Sequence, residues 1–214
     1  MNIASRSPRN TLLGPALLSL SAPCWWIGAV AFSPIVGPVY SAPDSATQIK
    51  IVSLHSTAWL VQNLCFLSGL LAAAGGLAAL TGMLRETRGR QLAQLGLLTT
   101  LAATAVGVGV VYTSLTLAER QTPEAPPMYS GAGANPLHIA FGVLTLLGFI
   151  CYGLALVQSG RLKWTGVAAI LLSSVMLFEI VRQRDAFPPL FFYTIPFMFG
   201  VRLLFGKRSV WQVP

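Results

Sequence analysis

The sequence predicts an all-α polytopic membrane protein, a bundle of six transmembrane helices in one domain over residues 1–214, with both termini cytoplasmic. Three observations carry this expectation. Charged residues make up only 9% of the chain against 54% apolar residues, where a soluble domain holds about 25% charged. The apolar residues fall into long runs, the clearest being Ile51–Leu84, which contains no Asp, Glu, Lys or Arg. A helix crossing a hydrocarbon core needs about 20 such residues. Finally, the basic residues gather in the short segments between alternate runs, which is the signature of membrane orientation.

The first helix is expected over about 12–36, after a short basic stretch around Arg6 and Arg9. The run is too long for a signal-peptide core, so a retained helix bent at Pro15 or Pro23 is expected. Gly37 to Lys50, with Pro38, Pro43 and Asp44, reads as a loop. The second helix, about 54–84, ends in the basic turn Arg85–Arg90. Its Gly69, Ala72, Ala73, Gly75, Gly76 and Ala79 let neighbouring helix backbones come close, within the chain or between subunits. In the third helix, about 92–117, Thr100, Thr104, Gly107, Val111 and Ser114 form a second narrow face of small and hydroxyl residues.

The Pro- and Gly-rich stretch from Glu119 to Asn135 excludes a helix. Asn135 and Pro136 then read as cap and first position of a fourth helix, about 136–158. The turn Gly160–Lys163 leads into a fifth, about 164–182, and a sixth spans about 190–205. Phe187, Phe191, Phe192 and Tyr193 before it read as an aromatic belt at the membrane boundary. With the N-terminus inside, the inner segments hold Arg6, Arg9, Arg85, Arg88, Arg90, Arg161, Lys163, Arg202, Lys207 and Arg208. The outer ones hold only Lys50, Arg120, Arg182 and Arg184, ten against four. The bacterial inner membrane is the expected location.

This distribution also removes the nucleic-acid reading that a net charge of +8 would otherwise invite. Cys24, Cys65 and Cys151 lie in separate apolar runs without CxxC spacing and read as small buried residues. The chain has no GxxxxGK[ST], no HExxH and no lysine in mid-helix, and no series of acids crosses an apolar run.

Candidate chemistry collects at the outer ends of the helices. His55, Trp59, Gln62 and Phe66 share one face of the second helix, with Asn63 beside them, and His138, Phe141, Gly142 and Thr145 share one face of the fourth. Were the two faces to meet, they would form an outer-leaflet pocket with two imidazoles, two carboxamides and aromatic walls. Imidazole ligates haem and metals, and such a pocket suits a quinone, carotenoid, haem or lipid. The structural alternative makes both histidines interfacial residues and leaves Gln62 and Asn63 to bond between helices. Glu179 is the one acid well inside an apolar run, and Arg182 three residues on, with Asp185 beyond it, forms a charge ladder.

Every residue singled out thus has an adequate structural role. The favoured reading is a non-catalytic membrane component, an accessory subunit or packing element whose partners are the lipid bilayer and other membrane subunits or further copies of the chain. A binder of a hydrophobic cofactor is the alternative, and a small membrane-embedded enzyme or permease a further one.

Overall fold

A computed structural model of the chain describes residues 8–120, 136–183 and 191–205. These are helical throughout, with no strand among them: α1 (Pro8–Trp26), α2 (Phe32–Val36), α3 (Ser45–Leu54), α4 (Ser56–Met83), α5 (Arg90–Leu115), α6 (Leu117–Arg120), α7 (Pro136–Gln158), α8 (Lys163–Gln183) and α9 (Thr194–Phe205). Among the described residues, five stretches are long and apolar enough to cross a bilayer: Leu12–Ser41, Ser56–Met83, Arg90–Leu115, Pro136–Gln158 and Lys163–Arg182. This is the make-up of a multi-pass helical membrane protein, with five long spans among the described residues and not the six expected. The shortfall lies in α9, whose 12 residues reach about 18 Å at 1.5 Å per residue. A hydrocarbon core is about 30 Å thick.

The long helices form a closed ring in the order α1, α4, α5, α7, α8, α9 and back to α1. Missing side chains set how closely they approach. Along the α1–α4 seam, Gly14 meets Ala79, Gly76 meets Leu18 and Gly69 meets Trp25, so the two helices run antiparallel. The small residues of α4 therefore pack within the chain. The α5–α7 seam repeats the device: Gly89 lies on the Ala155 carbonyl, Gly148 on Thr100, and Gly107 against Phe141. Thr100, Gly107, Val111 and Ser114 are buried as their spacing implied, with Thr104 half-buried. Where α7 ends, Gly160 adopts the left-handed conformation (φ 69°) common just past a helix terminus. Across the ring the Tyr152 hydroxyl lies 2.7 Å from Thr81 Oγ1 and donates to the Leu77 carbonyl at 3.0 Å, tying α7 to α4.

These contacts also give α9 its depth. Tyr193 stacks on Trp25 and Gly200 sits on Leu18 and Ser19, so α9 is antiparallel to α1 and ends where α1 begins. Both ends of the described chain thus lie at one end of the ring, together with the basic turns Arg85–Arg90 and Arg161–Lys163. At this basic end are Arg85, Arg88, Arg90, Arg161, Lys163 and Arg202, against Glu86 as the one acid among the described residues.

Three local expectations are corrected. The first helix runs on through Pro15 and Pro23, both of which lie inside α1, and changes to a π-helical turn at Ile27–Ala31. Gly37–Lys50 is not a loop: a 3₁₀ turn over Gly37–Ser41 leads into α3, whose N-terminus is capped by Asp44 accepting from Thr47 N–H at 2.7 Å. Phe192 and Tyr193 do not form an outward-facing aromatic belt. Both are 1% exposed in the core, and only Phe191 stays exposed. Phe187, Asp185, Arg184, Lys207, Arg208 and most of the Glu119–Asn135 stretch lie outside the described residues.

The packing separates two glycines of α4. A Cβ on Gly76 would come within 2.9 Å of the Leu18 backbone nitrogen, whereas one on Gly82 would meet nothing within 4 Å. Gly76→Ala should destabilise the protein in a detergent unfolding titration by about 1–3 kcal/mol through overpacking. Gly82→Ala should be neutral or stabilising by up to about 1 kcal/mol.

Candidate functional site

Opposite the basic end, buried polar side chains gather under a lid made by α3, the 3₁₀ turn and α6. Val36, Val39, Val52, Trp59 and Leu117 form a small core here, separate from the main one. Gln48, on the inner face of α3, donates to the Val39 carbonyl at 3.2 Å and fixes the lid to the 3₁₀ turn. The backbone N–H and hydroxyl of Thr47 hold the Asp44 carboxyl below the usual carboxylate range. A carboxyl whose pKa is lowered on folding contributes stability above its unfolded value, and that contribution fades as pH falls through the folded one. The cap on α3 is therefore an acid-labile contact.

Beneath the lid, three of the residues singled out in the sequence come together. The Trp59 indole donates to the Ser114 carbonyl at 2.9 Å, and its ring lies 5.9 Å from that of Tyr40. The Gln62 amide donates to the Gly28 carbonyl at 3.2 Å while its oxygen accepts from the Tyr40 hydroxyl at 3.1 Å. Asn63 donates to the Trp59 carbonyl at 2.9 Å. Gly28 belongs to the π-helical turn. A π turn breaks the regular i to i−4 ladder, and here a π-turn carbonyl takes its bond from a neighbouring helix. Gln62 thereby joins α4, the π turn and the 3₁₀ segment through one carboxamide.

The histidines stand apart from this cluster. His55 is exposed at the break between α3 and α4, where its N–H bonds to Ile51 and its carbonyl receives Trp59 N–H. Its side chain does not cap α4. It closes one helix as well as opening the next, so it is not simply a first-turn residue. His138 is half-buried near the start of α7, and the face it shares turns elsewhere: Phe141 packs on Gly107 of α5, and Gly142 on Ile180 and Phe192. In the ring, α5 stands between α4 and α7. Among the described residues no three His, Cys, Asp or Glu side chains form a metal-binding group, and the three cysteines are free. Glu179 and Arg182 form the expected pair at 3.8 Å, with Arg182 largely exposed. Such pairs contribute about 0–1 kcal/mol.

Next to the cluster, Trp25 is stacked between Phe66 at 4.3 Å and Tyr193 at 4.7 Å between ring centroids. Gly69 and Gly28 open the notch, since a Cβ on either would strike Trp25 or Phe66. The indole N–H is buried beside Tyr193 without closing a hydrogen bond of ordinary geometry among the described residues. Neither Trp25 nor Tyr40 stands out in the sequence. The lid did leave a readable trace: Asp44 three residues before Thr47 is a helix start signal, and Gln48, Val52, His55 and Trp59 keep one helical face through the break.

No protein-family model, curated protein or solved structure matches this chain.

The cluster makes Gln62 its most sensitive position. Gln62→Leu keeps the bulk but removes the partners of the Gly28 carbonyl and the Tyr40 hydroxyl. The expected loss is about 1–3 kcal/mol for leaving the buried Gly28 carbonyl without its Gln62 donor, read in the same unfolding titration. Asn63→Leu, which removes a bond within one helix turn, should cost less.

Proposed function

We propose that the chain is a non-catalytic integral membrane protein, an accessory subunit or packing component of a membrane complex. Its basic end faces the cytoplasm and both termini lie inside, in the bacterial inner membrane. The observation that carries this reading is the Gln62 bridge, in which a buried carboxamide spends both its donor and its acceptor on the chain's own helices. The Trp59 indole and the Asn63 amide also donate to carbonyls of the chain, those of Ser114 and Trp59. A catalytic cluster keeps groups aimed at a substrate; here the polar groups hold helices together. The outward face of α5 supports the subunit reading, because Leu98, Ala102, Ala105 and Tyr112 are exposed in a helical stripe. Small residues so placed suit contact with another transmembrane helix.

A second reading, a binder of a quinone, carotenoid or haem near His55 and His138, draws its support from the Trp25 indole, a buried donor in an aromatic stack. One preparation separates the two. Purified in mild detergent from its native membrane, the chain should carry other membrane subunits, or a second copy, in fixed stoichiometry and be colourless. Ala102→Leu with Ala105→Leu should strip the partner without unfolding the chain. A clean monomer with a visible or near-ultraviolet chromophore, lost in His55→Ala or His138→Ala, would overturn the proposal in favour of the second reading.

A further inference from the structure

The ring of helices is tight along every seam but one. Between α8 and α9 the contact is the sparsest of the circle. Near the far end, Ile180 of α8 and Phe192, just before α9, both lie against Gly142 of α7. Between the start of α8 and the end of α9 lies a groove of about 320 Å³ lined by Thr165, Phe197, Met198, Val201, Arg202 and Phe205. Its walls are almost wholly apolar. Arg202 is its one charged group, is exposed, and has no ion-pair partner among the described residues.

The setting says what would fill it. At the mouth stand Trp164 and Phe205, 81% and 83% exposed, in the position aromatic side chains take at a membrane boundary. Arg161 and Lys163 lie on the adjoining turn. Glu86 is the one acid at this end among the described residues, so among them basic side chains outnumber acidic ones around the mouth. A soluble anion would use the guanidinium and leave the apolar walls idle, and a neutral lipid would do the reverse. A molecule with an anionic head and a hydrocarbon tail uses both, and basic pockets between transmembrane helices recognise anionic lipid headgroups on this physical ground.

We propose that the α8–α9 groove is a binding site for one anionic glycerophospholipid of the leaflet at the basic end. The phosphate pairs with Arg202 beside Thr165, and an acyl chain lies against Phe197, Met198, Val201 and Phe205. The lipid completes the seam that the protein leaves unpacked. This inference does not depend on whether the chain is an accessory subunit.

The test places p-benzoylphenylalanine at Phe205, an exposed aromatic position on the groove wall, in the full chain. The protein is reconstituted into vesicles of phosphatidylethanolamine with a minor share of phosphatidylglycerol, irradiated, and weighed intact. The proposal expects phosphatidylglycerol adducts well above that lipid's share of the vesicle. Arg202→Gln should reduce this enrichment about five-fold, the effect of losing one basic residue near a membrane surface, while Arg202→Lys should keep most of it. Adducts in the bulk lipid ratio, or enrichment unchanged by Arg202→Gln, would overturn the proposal. So would cross-links to residues 206–214 or to a second copy, which would assign the groove to the chain itself.

Discussion

Everything in this bundle depends on close contact between helices that have no hydrophobic reason to leave the lipid. Lipid tails are as apolar as leucine, so association rests on packing and on interhelical hydrogen bonds. The chain meets this constraint by omitting side chains along whole seams. Gly14, Gly69 and Gly76 let α1 and α4 pack at close range, and Gly89, Gly107 and Gly148 do the same for α5 and α7. Each such contact fixes depth as well as distance, because a residue without a Cβ accepts its neighbour at one height only. The depth of α9 follows. Gly200 on Ser19 and Tyr193 on Trp25 anchor a helix too short to span, and they bring its C-terminal end level with the start of α1.

The polar side chains obey the same constraint from the other direction. In lipid an unpaired donor or acceptor has no water to turn to, so a partner inside the protein is favoured, although Ser19, Trp25, Thr145 and Ser173 close no such bond among the described residues. Thr81, Tyr152 and the Leu77 carbonyl meet this demand near the basic end, and Gln62, Tyr40 and the Gly28 carbonyl near the opposite one. The π turn supplies one of those acceptors, and the glycines at 28 and 69 make room for the Trp25 stack beside it. A site whose polar groups are bound to one another serves cohesion before chemistry. Space is left instead along the α8–α9 seam, where the close glycine contacts of the other seams are missing among the described residues.

Much of this was legible in the residues and some was not, for identifiable reasons. Long apolar runs and their basic turns located the spans, since lipid imposes one length and one hydrogen-bonding solution; Pro136 and Gln158 bound α7 as expected. The small faces of α4 and α5 were readable because helical spacing shows directly. α3 was missed because Pro38, Pro43 and Asp44 outweighed the cap signal and the face that continues through His55. Phe192 and Tyr193 were placed at the boundary because aromatic residues before a short apolar run usually stand there. Their burial depends on notches at Gly142 and Gly69, on two other helices far away in the chain. The bridge at Gln62 is half visible in the residues: a carboxamide inside an apolar run needs a partner, but Tyr40 and a carbonyl in a π turn carry no one-dimensional signal. A six-span count failed for a related reason, since α9 is held at depth by contact rather than by its own length.

The arrangement of the helices is tested most directly by single-cysteine accessibility in sealed inside-out and right-side-out vesicles, on a background with Cys24, Cys65 and Cys151 replaced by alanine. Cysteines at 88, in the basic turn, and at 205, at the end of α9, should react with an impermeant maleimide from one side. A cysteine at 44, before α3, should react from the other. Reaction of positions 44 and 205 from the same side would contradict the depth assigned to α9, and with it the antiparallel ring on which the account rests.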